Sequence, residues 1–347
     1  MQARVLLIGP GDLGQRLGRG LVHSPLLGEL VLAGRRDTSL AALLNACGRV
    51  RVRFAELDLH RTGDIERLLR AEKPDLIVQC AVEASPWWVG DRTDPFWAAL
   101  HRAGLALQLP FQLPLLMRVM EAVRATGLGA SVVNGSYPDL THPILAARGL
   151  APAIGIGNAG MIELQVRAAL RSRGLEAEPV RIVAHHAHVT PMVHARAAGA
   201  PWTSPRVYLG EEGTRADELA FAGPPLPTDR RLNELSAAAA LPLIDALLGG
   251  PPVRLSTPAP MGLPGGWPVR LDAHGIALDL PPGAEREELI AFQWESARRD
   301  GVASVDREGT VFFTDEAREA LGAWAELADP LRLDEVAARR ERLMSRC

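Results

Sequence analysis

Four of the chain's nine histidines fall in one short stretch: His185, His186, His188 and His194. An imidazole titrates near neutral pH, so a histidine here could give a proton to, or take one from, an atom whose carbon exchanges hydride. If the stretch is extended, His186 and His188 share a face and His185 points the other way. Two other uses stay open. The His-x-His pair could ligate a metal, although no cysteine or acidic residue adjoins it, or the imidazoles could line a polar surface without chemistry. His186 and His188 are taken as the proton-transfer candidates, and no metal is expected.

The second chemical feature opens the chain. Val5-Leu6-Leu7-Ile8 is fully apolar, as a buried central strand requires. Gly9-Pro10-Gly11-Asp12-Leu13-Gly14 follows at once, and Leu13, Leu17 and Leu21 then repeat at helical spacing. This is a GxGxxG turn between strand and helix. Gly9 permits the turn, Gly11 lets a diphosphate approach the backbone, and Gly14 lets helix and strand pack closely. The opening residues of the helix, Asp12 and Leu13, bring N–H groups and the positive dipole end to the phosphates.

The next strand ends in Gly34-Arg35-Arg36. A fold that prefers NAD places a carboxylate near here for the ribose hydroxyls. Guanidinium groups instead pair with a 2′-phosphate. Gly34, Arg35 and Arg36 therefore point to NADP(H).

Composition narrows the alternatives. The chain has 347 residues, is 47% hydrophobic and carries a formal charge of −3, which argues against a nucleic-acid or anionic-membrane partner. No stretch reaches the roughly 18 apolar residues of a membrane span, and no leader precedes the first strand. The scattered Cys47, Cys80 and Cys347 fit a reduced compartment. A cytoplasmic protein acting on a small molecule is expected, and the long second half would suit a homodimer. Lys73 is the only lysine, and it lies between a helix end and a strand start, away from the catalytic edge of a parallel sheet. Lysine-dependent mechanisms are thereby excluded. Ser136-Tyr137 is similar to the Ser/Tyr pair of short-chain dehydrogenases, but position 141, where that family has lysine, is threonine. Tyr137 is therefore not read as a proton donor.

The elements that must position these groups alternate strand and helix through residue 150, giving a doubly wound parallel Rossmann sheet of class α/β. A mixed α+β second domain follows. The division is residues 1–150 for dinucleotide binding and 151–347 for substrate binding and oligomerisation. Residues 81–112 interrupt the rhythm with Trp87-Trp88 just past strand four, where Trp88 could wall a substrate pocket or belong to core packing. Asn134 ends strand five, placed to meet a cofactor amide.

Residues 113–200 resemble the lactate and malate dehydrogenase family in the order of their features. A helix (113–125) precedes Asn134 with Pro138 and Asp139. Gly155-Ile156-Gly157 comes next, then a helix bearing Glu163 and Arg167, and a strand delivering His186. The resemblance implies that Asn134 contacts nicotinamide and substrate, that Glu163 orients the histidine, that Arg167 takes a substrate carboxylate, and that His186 is the proton donor. The first half, with Asp58-Leu59 and Gly34-Arg35-Arg36, is similar to saccharopine-dehydrogenase and NmrA-type NADP domains. The expected function is an NADP(H)-dependent oxidoreductase acting on a carbonyl/alcohol or imine/amine pair. The alternative is an NmrA-like NADP sensor without turnover.

Overall fold

The computed structural model describes residues 2–175, 179–193, 204–272 and 274–346. His194 and Cys347 lie outside these residues.

β1 (Ala3–Ile8) pairs in parallel with β2 (Leu27–Gly34) on one side and β4 (Leu76–Gln79) on the other. Buried between two strands and two helical layers, it is apolar on both faces. With β3 (Arg51–Glu56), β5 (Ser131–Asn134) and β6 (Ile154–Gly155) it forms a six-stranded sheet in the order β3-β2-β1-β4-β5-β6. β6 falls just past residue 150. The order reverses between β1 and β4, the place where open α/β sheets generally bind ligands, outside the carboxyl ends of the strands.

Alternate residues feed two cores. Leu6, Ile8, Val31, Ile77 and Val132 face α3 (Asp64–Glu72) and α6 (Leu109–Thr126). Val5, Leu7, Leu30, Leu32, Val78 and Val133 face α1 (Asp12–Leu21), α2 (Leu40–Cys47) and α10 (Leu232–Leu247). Each fully buried aliphatic side chain contributes about 1.5–3 kcal/mol. A one-residue slip in β1 would exchange the two faces.

The interruption at 81–112 is helical. α4 (Pro86–Gly90) and α5 (Pro95–Ala103) each start with proline, and Ser85 and Asp94 cap them by accepting from Trp88 N and Trp97 N. α5 packs against α12 (Asp315–Leu321). Among the described residues no single helix is long and apolar enough to cross a membrane.

Past α7 (Pro138–Ala146) and α8 (Asn158–Arg171) the sheets become antiparallel. β7 (Val180–Val183) leads into a turn and α9 (Val189–Val193), then pairs with β8 (Arg206–Leu209), which pairs with β9 (Thr214–Arg215). β10 (Val253–Pro258), β11 (Gly266–Asp272) and β12 (Gly275–Leu278) form a meander. α11 (Arg286–Ala297), the hairpin of β13 (Val302–Val305) and β14 (Val311–Phe313), α12 and α13 (Val336–Met344) complete the chain.

Candidate functional site

β7 ends at Val183, and Ala184 bridges to Gly266 of β11. His186–His188 then form a single 3-10 turn rather than an extended segment. This corrects the expected pairing of His186 and His188 on one strand face: with three residues per turn they point to different surroundings.

The bonds each ring makes assign its role. His188 is buried, accepts from His185 N through Nδ1 at 2.8 Å and stacks on Phe292. Burial holds its pKa down to about 3, so it is neutral. His185 is also buried and accepts from Ala187 N through Nδ1 at 3.2 Å; its proton therefore sits on Nε2, and burial lowers its pKa. His186 differs from both. Its side chain is 34% exposed, and its Nδ1 lies 2.9 Å from Asp300 Oδ2. Burial lowers its pKa, but the Asp300 carboxylate, by charge and hydrogen bond, and Asp139 by charge outweigh this and hold it above the usual histidine value. Its Nε2 makes no hydrogen bond among the described residues, and the ring is partly exposed. Of the three described histidines in the cluster, only His186 is poised for proton transfer.

Several elements fix this ring. Asp139, in the first turn of α7 directly beyond β5, accepts from His186 N at 3.0 Å. Asn158, which opens α8 beyond β6, donates to the same Asp139 Oδ1 at 2.6 Å. His186 is thus moored to the carboxyl edge of the parallel sheet. Asp300 comes from the turn after α11, and Tyr137 donates to its Oδ2 at 2.8 Å. The interruption supports that turn. Gly104, at φ +110°, ends α5, and a methyl group there would run into the Asp300 carbonyl. Gly301, at φ +92°, lies as closely against Ala103 O.

At the glycine turn, Gly9 has φ +84°, and a methyl there would run into the Ala81 backbone at the end of β4. A methyl on Gly14 would strike Gly9 O, whereas one on Gly11 meets nothing within 4 Å. Open space therefore lies over the turn where the first N–H groups of α1 lack helical partners, and the cradle fits a diphosphate. Leu13 packs toward Gly135, just past β5, so the turn adjoins the segment that leads from β5 to Tyr137 and Asp139 at the start of α7. The Asp12 carboxylate is turned to Arg16 and Asn233, leaving its backbone N–H to the ligand. Gly34 lies against Pro10, and Arg35 and Arg36 beyond it are exposed and form no ion pair among the described residues.

Four sequence expectations are corrected by the packing. The carboxylate beside His186 is Asp300. Glu163 instead pairs with Arg167 at 2.7 Å and accepts from Ser256 N, tying α8 to β10; burial raises its pKa, and Arg167 only partly offsets this. Arg167 is correspondingly engaged by Glu163 and is not joined to the histidine cluster. Asn134 is 0% exposed: its Oδ1 accepts from Ser136 N, and its Nδ2 faces Ser136 O, Thr141 Oγ1 and His142 Nε2. Its amide bonds within the fold and is fully buried, so it is not exposed to meet a cofactor. Trp88 packs edge-on to Trp97 and Phe111, with the Arg92 guanidinium 3.7 Å above its ring, so it belongs to the aromatic core beneath α4 and α5.

Sequence reasoning missed Asp300, which lies 114 residues from His186. Its one local signal is Asp300-Gly301 closing a helix, and many surface turns share that pattern. Among the described residues no group of three or more His, Cys, Asp or Glu side chains is placed to hold a metal ion.

No protein-family model matches the chain, and no curated protein sequence matches it. Solved structures do. The minor L-lactate dehydrogenase of Enterococcus mundtii, in its ligand-bound form, superposes with a TM-score of 0.54 at 13% identity, over 85% of this chain and 95% of that one. Its ligand-unbound form gives 0.55 at 13% identity, over 86% and 96%. The similarity extends through both parts of the molecule and establishes a Rossmann-like α/β domain followed by a mixed domain.

Proposed function

We propose that the protein is an NADP(H)-dependent oxidoreductase that interconverts a carbonyl and an alcohol, or an imine and an amine, on a small metabolite. The observation that carries this reading is His186: a partly exposed imidazole whose Nδ1 is bonded to Asp300, which favours its protonated form, moored through Asp139 just beyond the carboxyl end of β5. The nicotinamide, when bound, supplies or accepts the hydride.

The chain's own residues do the rest. The turn from Gly9 to Gly14 and the amino end of α1 receive the diphosphate. Arg35 and Arg36 pair with the 2′-phosphate. His186 Nε2 donates a proton to the oxygen or nitrogen of a substrate being reduced, and takes it back in the reverse direction. Asp300 accepts from Nδ1–H, which keeps Nε2 aimed outward and stabilises the imidazolium. The name of the Enterococcus mundtii structure, an L-lactate dehydrogenase, supports a dehydrogenase reading.

The test replaces His186 with Gln and follows NADPH consumption against a panel of keto acids, ketones, aldehydes and imines. Removing a general acid–base group lowers turnover about 10²–10⁴-fold, while calorimetric NADPH binding stays intact. Tight NADPH binding by the wild type with no turnover on any substrate would instead favour a nucleotide sensor.

A further inference from the structure

Tyr137 belongs to this cluster, and the proposed reaction gives its hydroxyl no step. It is 6% exposed, so its hydroxyl touches no substrate. Its backbone sits at φ +42°, ψ +58°, a left-handed conformation that a bulky residue adopts only under constraint. That geometry aims the ring down from the start of α7. The hydroxyl reaches Asp300 Oδ2 at 2.8 Å, and the ring lies edge-on to His186 with centroids 5.5 Å apart. Tyr137 and His186 therefore share one carboxylate oxygen, and His186 Nδ1 reaches it at 2.9 Å. A carboxylate oxygen has two lone-pair directions, and these two donors fill them. His185 Nδ1 is 3.6 Å from the same oxygen but acts as an acceptor, so it does not compete.

We propose that Tyr137 is a positioning residue that divides the charge of Asp300 Oδ2 with His186 and thereby sets the pH at which His186 exchanges its proton. A hydroxyl bonded to a carboxylate withdraws part of its negative charge, and the imidazolium on the other lone pair feels less of it. The phenol itself stays protonated. Burial pushes its pKa well above 10, and Asp300 and Asp139 add to the effect. The charged and titratable groups facing His186 are few. Among the described residues they are Asp300 from the turn after α11, Tyr137 and Asp139 from the start of α7, and His185 and His188 of its own turn, with Arg299 acting on His188. Of these, only Tyr137 and His186 bond to Oδ2 as donors.

The inference rests on His186 as the proton-exchanging group, but its test reads the imidazole itself and needs no substrate. The chain has only two tyrosines, Tyr137 and Tyr208. In a Tyr208→Phe background, 3-fluorotyrosine can therefore be placed at position 137 alone. Fluorination makes the hydroxyl a stronger donor with little change in size. The His186 titration, followed by NMR of ring-labelled histidine and assigned with His186→Gln, should move to lower pH. Tyr137→Phe, which removes the donor, should move it to higher pH. If the enzyme turns over, the pH profile of kcat/KM should follow both shifts in the same directions. Unchanged titration in the fluorinated protein, or a shift to lower pH in a folded Tyr137→Phe variant, overturns the proposal and leaves Tyr137 as packing only. The fluorinated protein decides the matter should Tyr137→Phe fail to fold. A normal titration response with no turnover on any substrate would refute the oxidoreductase reading and leave this inference standing.

Discussion

Asp300→Asn removes one charge, keeps the side chain's shape, and has a calculable signature in stability against pH. Asp300 is buried, and its Oδ2 is bonded to His186 and Tyr137. Breaking a buried ion pair by removing one partner costs about 3–5 kcal/mol. His186 is a third exposed, so solvent screens part of the pair, and the asparagine oxygen still accepts a hydrogen bond. The expected loss is about 1–3 kcal/mol at its largest.

The sign of its pH dependence follows from the two partners. His186 has a folded pKa above its unfolded value. Its contribution is fully present below an unfolded pKa of about 6.5 and is lost as pH rises through the folded pKa. Burial alone would raise the pKa of Asp300, but the charge and hydrogen bond of His186, with His185 and Tyr137, win and lower it. Its contribution is present above an unfolded pKa of about 3.9 and is lost as pH falls through the folded one. The stability difference between wild type and Asp300→Asn should therefore peak between about pH 4.5 and 6.5. It should decline on both sides, as Asp300 takes up a proton at low pH and His186 loses one at high pH. Urea denaturation of both proteins from pH 3 to 9 measures it. A difference independent of pH, or larger at pH 9 than at pH 5.5, would show that Asp300 and His186 do not form a charged pair.

Three further outcomes are expected. Gly11→Leu should leave the midpoint of urea unfolding nearly unchanged, since the space over Gly11 is open, yet lower NADPH affinity by more than tenfold in calorimetry as the side chain enters the diphosphate cradle. Arg35→Glu with Arg36→Glu should weaken NADPH binding by roughly 10–100-fold while changing NADH binding little, because charge-assisted bonds to the 2′-phosphate contribute about 1.5–3 kcal/mol; fluorescence titration of both coenzymes decides it. Gly104→Ala should destabilise the fold by about 2–5 kcal/mol, combining positive-φ strain with overpacking against the Asp300 carbonyl. It should also lower turnover in the surviving folded fraction, although residue 104 touches no ligand.

The legible parts of this protein are those whose physical cause is local. Val5 to Gly14 announces a central strand, a tight turn and a helix within ten residues, because backbone geometry at Gly9 and close packing at Gly14 leave no other residue type suitable there. The alternation of apolar runs and amphipathic helices through residue 150 fixed the class of the sheet in the same way. The burial of Asn134 was not legible: a polar residue ending a central strand reads as meeting a cofactor amide. The sequence did not say whether its partners were a ligand or Thr141 and His142 of the following helix.

The proton-transfer site belongs to the other category. His185, His186 and His188 are equivalent on paper, each with the same reference pKa. Their differences arise from burial and from which atom approaches which ring, and no spacing rule encodes either. Glu163 and Arg167 satisfy each other one helical turn apart, as their spacing allows, whereas the carboxylate bonded to His186 comes from Asp300, on a turn held in place by the end of α5. The sequence alone determined a dinucleotide-type cradle and the stretch in which a proton donor would lie, since both depend on residues near one another in the chain. Which histidine is partly exposed and bonded to a carboxylate, and which carboxylate that is, was decided by tertiary packing, because an electrostatic partner is chosen by distance in space.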